Sequence, residues 1–238
     1  MLILALDATA KEAAAAVSRN GVPLASASGG ARSGSEVLLP LAEAVLSAAN
    51  KQIEDLDLLA VAVGPGSFTG VRIGVALAKG LGFGRALPVA PVSTLEALAE
   101  NLAPLRGIYC PVMDARRGEV YNALFSVDGD GVLRRLCPDR AISPEALAAE
   151  LLAEHRDEEI CLVGDGVYVA EPTLWAAGLR IAPIPDTLTH HSAVSVARVG
   201  ARMAERGETV SLAQLAPTYL RRAQADEKPG IATGESEK

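Results

Sequence analysis

Leu58-Leu59-Ala60-Val61-Ala62-Val63 runs directly into Gly64-Pro65-Gly66-Ser67-Phe68-Thr69-Gly70, and Val71-Arg72-Ile73-Gly74-Val75-Ala76-Leu77-Ala78-Lys79-Gly80 follows without a break. The first six residues are apolar, too few for a helix and bounded by turn residues, so the stretch predicts a buried strand, a tight glycine turn and a helix. Open α/β sheets place their ligand-facing end at such a junction, where a strand's carboxyl end meets the free N–H groups of a helix. The loop is not a Walker A motif, because no Gly-Lys-Ser/Thr follows and Lys79 lies well down the helix. Two readings remain. Either Gly64, Gly66, Ser67, Thr69 and Gly70 form an anion- or nucleotide-binding loop, or the loop is a structural corner in which Ser67 or Thr69 caps the helix. The second is favoured.

Working outward, residues 2–6 read as a strand ending at Asp7, residues 13–18 as a second strand, and residues 22–28 as a third after the Asn20-Gly21 turn. A Gly/Ser-rich linker leads to a helix over 35–50, with Ser35 as its cap and Pro40 either in the first turn or at a kink. A short strand near Val89 and a helix over 93–101 complete this half. After Pro104 the order begins again. Residues 108–113 form a strand ending at Asp114, residues 119–127 a second strand, residues 132–136 a third, Ser143-Pro144-Glu145 opens a helix, and residues 159–163 form a strand before Gly164-Asp165-Gly166. Asp7 thus aligns with Asp114, and Glu12 with Glu119. The duplicated β-β-β-α-β-α unit predicts an α/β protein with the actin-like, ribonuclease H-like fold (ASKHA) in two subdomains, 1–103 and 104–222. Fold alone does not settle activity. The polar, Gly/Pro-punctuated tail 223–238 is expected to be disordered.

The chain has 238 residues and is half apolar, enough for a sizeable core, and its net charge of −7 argues against a nucleic-acid groove of its own. Basic residues cluster only locally, at Arg116-Arg117, Arg134-Arg135 and Arg221-Arg222. Cys110, Cys137 and Cys161 are widely spaced and odd in number, as expected of reduced core thiols in cytoplasm. Asp7 interrupts the first apolar run, and no run approaches the roughly 20 apolar residues of a membrane helix. Asp7 and Asp114 could flank a metal, but each is better read as capping its own turn. The histidines, His155, His190 and His191, form no HxxxH or HExxH pattern, and the adjacent pair, taken on one helix, would point apart. Ser67 lacks the G-x-S-x-G spacing of a nucleophile elbow. These residues predict no catalytic group, no metal and no cofactor.

The two early helices carry more apolar or small residues than one buried face needs. Leu38, Leu41, Ala42 and Val45 form one stripe while Val37, Leu39 and Leu46 lie outside it, and Gly70, Gly74 and Ala78 recur four apart. Two readings follow: both helices are interior to a three-layer fold, or their surplus faces, presenting Arg72, Val75 and Lys79 from the second, meet another chain.

Leu4-Ala5-Leu6-Asp7, Ser35-Glu36-Val37-Leu38-Leu39-Pro40, the glycine loop through Gly74, Val92-Ser93-Thr94-Leu95-Glu96-Ala97-Leu98 and Met113-Asp114-Ala115-Arg116-Arg117-Gly118-Glu119-Val120-Tyr121 together resemble the TsaB (YeaZ) family of bacterial tRNA threonylcarbamoyladenosine synthesis. The likeness is dense over the first half and thinner afterwards, with Pro217-Thr218-Tyr219-Leu220-Arg221 also similar. The resemblance implies a non-catalytic scaffold that binds the catalytic paralogue TsaD through its first two helices, in an assembly with the ATPase TsaE. That assembly transfers threonylcarbamoyl to N6 of adenosine 37 in tRNAs reading codons that begin with A, so tRNA is reached indirectly. A homodimer in the partner's absence is left open, as is an actin-like ATPase or phosphotransferase acting alone. This chain departs from the family at Gly34-Ser35, where His-Ser is common, and at Asp7-Ala8-Thr9, where Asp-Thr-Ser is common.

Overall fold

The computed structural model describes residues 1–30, 34–103, 105–127 and 132–221. Strand β1 (Leu2–Asp7) is buried along its whole length because sheet neighbours cover both edges and helices both faces. Strands β2 (Ala13–Arg19) and β3 (Val22–Gly29) follow as antiparallel neighbours. Helix α1 (Gly34–Ala48) comes next, starting one residue before the cap expected at Ser35. Pro40 lies in its second turn and not in the first. Glu36, four residues earlier, is exposed like Pro40, so the carbonyl left without a donor is on the solvent side.

Strand β4 (Leu58–Gly64) runs parallel to β1, and helix α2 (Phe68–Leu81) leaves it through the glycine loop. Ser67 caps α2, its Oγ accepting from Gly70 N–H at 3.2 Å. Strand β5 (Val89–Ser93) closes the first sheet in the order β3-β2-β1-β4-β5. Helix α3 (Thr94–Asn101), capped by the Ser93 hydroxyl, then packs Leu95, Leu98 and Leu102 against the second half.

The second half contains β6 (Ile108–Arg116), β7 (Glu119–Asn122), β8 (Phe125–Val127), β9 (Leu133–Arg135) and β10 (Arg140–Ile142). Helix α4 (Pro144–Glu154), strand β11 (Glu159–Val163), helix α5 (Val167–Ala176) and the short β12 (Arg180–Ile181) follow. Its principal path is β10-β7-β6-β11-β12, the same order as the first sheet strand for strand. The repeat is therefore real in topology, but its third strand is β10 and not 132–136 as expected. The strand expected over 119–127 is broken at Ala123-Leu124, opposite Pro111, which has no N–H for the ladder. The buried Asn122 amide bridges the gap, donating to Pro111 O at 3.2 Å and Ala123 O at 3.0 Å. Beyond the break, β8 and β9 form a side hairpin off the main path.

Helix α6 (Ala193–Glu205), which sequence reasoning did not anticipate, returns to the first sheet. Val196, Ala197 and Val199 join Ala5, Ala60 and Ala62 in one core, and a Cβ on Gly200 would fall 2.6 Å from Ala60 Cβ. The first sheet is thus sandwiched between α1 and α2 on one face and α6 on the other. A division at 103/104 separates the two sheets but assigns α6 to the wrong one. The tail 223–238 lies outside the described residues. No helix among the described residues is long and apolar enough to cross a membrane.

Candidate functional site at the cleft between the sheets

The turns and loops that follow β1, β4, β6 and β11 converge on a cleft of about 830 Å³. Its floor is made of backbone packed on backbone. In the first half, Ser67 N–H donates to Thr9 O at 2.7 Å. A Cβ would fall 2.5 Å from Thr9 O at Gly66 and 1.7 Å from Ala8 O at Gly70. Gly64, with φ 115°, meets Thr218 O in the same way. The second half repeats the device: Gly166 N–H donates to Val112 O at 3.0 Å, and a Cβ on Gly164 would lie 2.3 Å from that oxygen. The first glycine loop is therefore filled by its own chain, and the N–H groups of Ser67 and Gly70 are already engaged. Thr69, the alternative cap, is exposed inside α2.

Each aligned carboxylate holds its own turn. Asp7 is 1% exposed and accepts from Thr9 N–H at 2.8 Å and the Thr9 hydroxyl at 2.6 Å. His191, brought in by the segment before α6, places Nδ1 3.2 Å from the other Asp7 oxygen. Burial works against both charges, but the hydrogen bond and mutual attraction outweigh it. Asp7 is held below the usual carboxylate range and His191 above the usual imidazole range. His190 and His191 lie ahead of α6 and not within a helix. Asp114 accepts from Arg116 N–H at 2.7 Å, the Tyr168 hydroxyl at 2.6 Å and Arg116 Nη1 at 3.1 Å. Burial opposes its charge, and these donors still lower its pKa. Burial pushes the Cys110 thiol up to about 12 and Cys161 up to about 11, so both are poor nucleophiles. Among the described residues, no three metal-ligating side chains cluster.

The rim is aromatic and cationic. The Arg72 guanidinium lies 3.8 Å over the Phe68 ring, and its Nε donates to Tyr219 OH at 2.8 Å. The segment carrying Tyr219 ties the halves together. Thr218 N–H donates to Val63 O at 2.8 Å, while Arg221 pairs with Glu119 and donates to Ala115 O at 3.0 Å.

The residues expected to contact a partner divide sharply. Leu38, Ala42, Val45 and Val75 are at most 6% exposed and belong to the core between α1, α2 and the first sheet; Leu41 is half-buried against it. That stripe is the chain's own interior, because each helix is covered by the sheet beneath and by its neighbour helix. Arg72 and Lys79 are exposed, as are Leu39, Glu43 and Ala76, which the expectation omitted.

The family model "TsaD: tRNA N6-adenosine threonylcarbamoyltransferase" matches residues 24–231. The tRNA threonylcarbamoyladenosine biosynthesis protein TsaB of Bacillus subtilis is 34% identical over 194 residues, 80% of each chain. That of Escherichia coli is 30% identical over 97% of this chain and 99% of its own. The chain belongs to the TsaB (YeaZ) family. A solved Pseudomonas aeruginosa structure, described as similar to the peptidase YeaZ, superposes with a TM-score of 0.78 at 28% identity, covering 92% of this chain and 99% of that one. A ROK hexokinase from Thermus thermophilus, at 15% identity and a TM-score of 0.51, shares the fold alone. The actin-like class read from the repeat and the TsaB (YeaZ) resemblance are therefore both correct.

Proposed function

We propose that this protein serves tRNA threonylcarbamoyladenosine biosynthesis as a non-catalytic partner of a TsaD subunit, in an assembly that includes TsaE. Relatives named for that pathway support the pathway assignment. The observation that carries the non-catalytic reading is the backbone-filled cleft floor: where a phosphate would need exposed loop amides, Ala8 and Thr9 carbonyls press against Gly66 and Gly70. Asp7, at the end of β1, is tied into a buried ion pair with His191.

The face offered to the partner is the outer side of α1 and α2, represented by Leu39, Glu43, Ala76 and Lys79 with Arg72 at its edge. Leu39 is 40% exposed on this side. Co-purification with TsaD tests the reading. Leu39→Asp and Ala76→Asp are expected to abolish capture while shifting stability by no more than about 0.5 kcal/mol, as exposed substitutions do. Val75→Asp is unsuitable, since it places a charge in the core. Capture of both surface variants at wild-type levels overturns this interface. The duplicated halves and cleft give one competing reading, an ATPase acting alone. Magnesium-dependent ATP hydrolysis by the purified chain, lost in Asp7→Asn, would establish it instead.

A further inference from the structure

The chain has only three Phe, four Tyr and one Trp, yet Phe68, Phe83, Tyr168, Trp175 and Tyr219 are all exposed. Aromatic side chains bury large apolar areas, so placing most of so few at the surface calls for a local reason. Phe68, Tyr168 and Tyr219 share one address, the mouth of the cleft, and half-buried Tyr121 lies with them.

Cations gather at the same mouth. Lys11, Arg116, Arg117 and Arg221 line it, against Asp114 and Asp165, in a protein whose overall charge is −7. Both acids have internal tasks: Asp114 holds Arg116 and Tyr168, and Asp165 accepts from Asp114 N–H at 3.3 Å. Arg116 and Arg117 sit at the β6–β7 tip with φ 65° and 56°. Left-handed backbone disfavours arginine and would suit Asn or Gly, so the tip holds two cationic side chains at an energetic cost.

We propose that the cleft mouth binds a single-stranded segment of RNA directly, with phosphates on Lys11, Arg116 and Arg117 and bases stacked on the rings of Tyr168 and Tyr219. Strand-binding surfaces combine these two components, cations that follow the backbone and aromatic faces that accept any base. The geometry favours a strand over a free nucleotide. The cations stand on exposed tips around an opening, Arg116 being 80% exposed, while the enclosed floor offers backbone-filled loops. The choice of RNA over DNA rests on the proposed role in tRNA modification. The site is separate from the outer faces of α1 and α2 except at Arg72, which is therefore left out of the test.

Fluorescence anisotropy of the full chain, alone and with TsaD, against a labelled unmodified tRNA transcript at low salt provides the measurement. Arg116→Glu combined with Arg117→Glu is expected to weaken binding about tenfold or more and to flatten its salt dependence. Tyr168→Ala, which leaves Arg72 and its Tyr219 partner in place, should weaken it roughly tenfold. Arg180→Glu, exposed on β12, shifts the net charge in the same direction by half as much as the double variant and should stay within about twofold of wild type. Retained TsaD capture by the double Arg variant separates loss of this site from loss of the partner role. If that variant melts early, Lys11→Glu replaces it, since Lys11 makes no ion pair among the described residues. Absence of RNA binding by wild type, an equal loss in Arg180→Glu, or equal displacement of the RNA by free AMP overturns the proposal.

Discussion

The two sheets have one strand order but opposite treatments of the turn after their first strand. In the first half the turn goes inward: Ala8 is 3% exposed, Thr9 is 1%, and Asp7 is locked to Thr9 and His191. In the second half it goes outward: Asp114 anchors an exposed tip in which Arg116 and Arg117 adopt positive φ. Both turns are held from behind by a glycine loop packed backbone to backbone. Duplication thus preserves the corner geometry while leaving the side chains free to diverge, one set into a buried ionic plug and the other into a cationic rim.

The largest effect should come from filling the space between loop and turn. Gly70→Ala puts a Cβ 1.7 Å from Ala8 O, a backbone atom that cannot swing away. Loss of stability beyond about 4 kcal/mol, or no folded protein, is expected. Gly80→Ala in the same helix meets nothing within 4 Å and should gain about 0.5–1 kcal/mol. Urea denaturation of the two variants makes the comparison, and a Gly70→Ala protein as stable as wild type would show that the close approach is dispensable.

Next comes the plug. Asp7→Asn removes one partner of a buried pair and should cost about 3 kcal/mol, whereas Asp114→Asn, on a part-exposed turn, should cost about 1 kcal/mol. Their pH dependences should differ as well. The folded-state pKa of His191 is raised, so its contribution is complete below its unfolded value near about 6.5 and fades as pH rises through the folded value. The folded-state pKa of Asp7 is lowered, so its contribution is complete above about 3.9 and is lost as pH falls through the folded value. The difference between wild type and Asp7→Asn should therefore be greatest at about pH 4–6.5 and shrink at higher pH. The Asp114→Asn difference should stay flat between about pH 5 and pH 9, because its donors are arginine and a tyrosine hydroxyl and no histidine bonds that carboxylate. Denaturation curves at several pH values measure both, and a flat Asp7 difference would sink the ion-pair assignment.

The local signals were legible in the residues. Apolar runs marked β1, β4, β6 and β11, and Ser67, Ser93 and Ser143 marked helix starts. What failed was long-range. His191 meets Asp7 across 184 residues, and nothing in either neighbourhood announces the pairing. Likewise, Arg116, Lys11 and Tyr219 become neighbours only through the cleft. The apolar stripe on α1 was visible, but periodicity cannot say whether a sheet, a sibling helix or another molecule covers it; Leu38, Ala42 and Val45 are covered from within. Helix α6 did carry a signal, with Ala193, Val196, Ala197, Gly200 and Ala201 at helical spacing, and all five are buried.

The smallest effect probes the outward turn. Arg117 and Gly118 occupy the hairpin tip with φ 56° and 77°, where Asn-Gly is the favoured pair. Replacing Arg117 by Asn relieves part of the left-handed strain and should raise stability by about 0.5 kcal/mol. Backbone strain taken by itself favours Asn over Arg at such a tip. A tip retained for binding should lose affinity for the tRNA transcript as it gains stability. Measuring melting and anisotropy on the same preparation reads both quantities. A variant that is more stable and binds RNA as wild type does would leave the strain at this tip without a binding rationale, whereas opposed shifts would tie its geometry to the cationic rim that distinguishes the second half from the first.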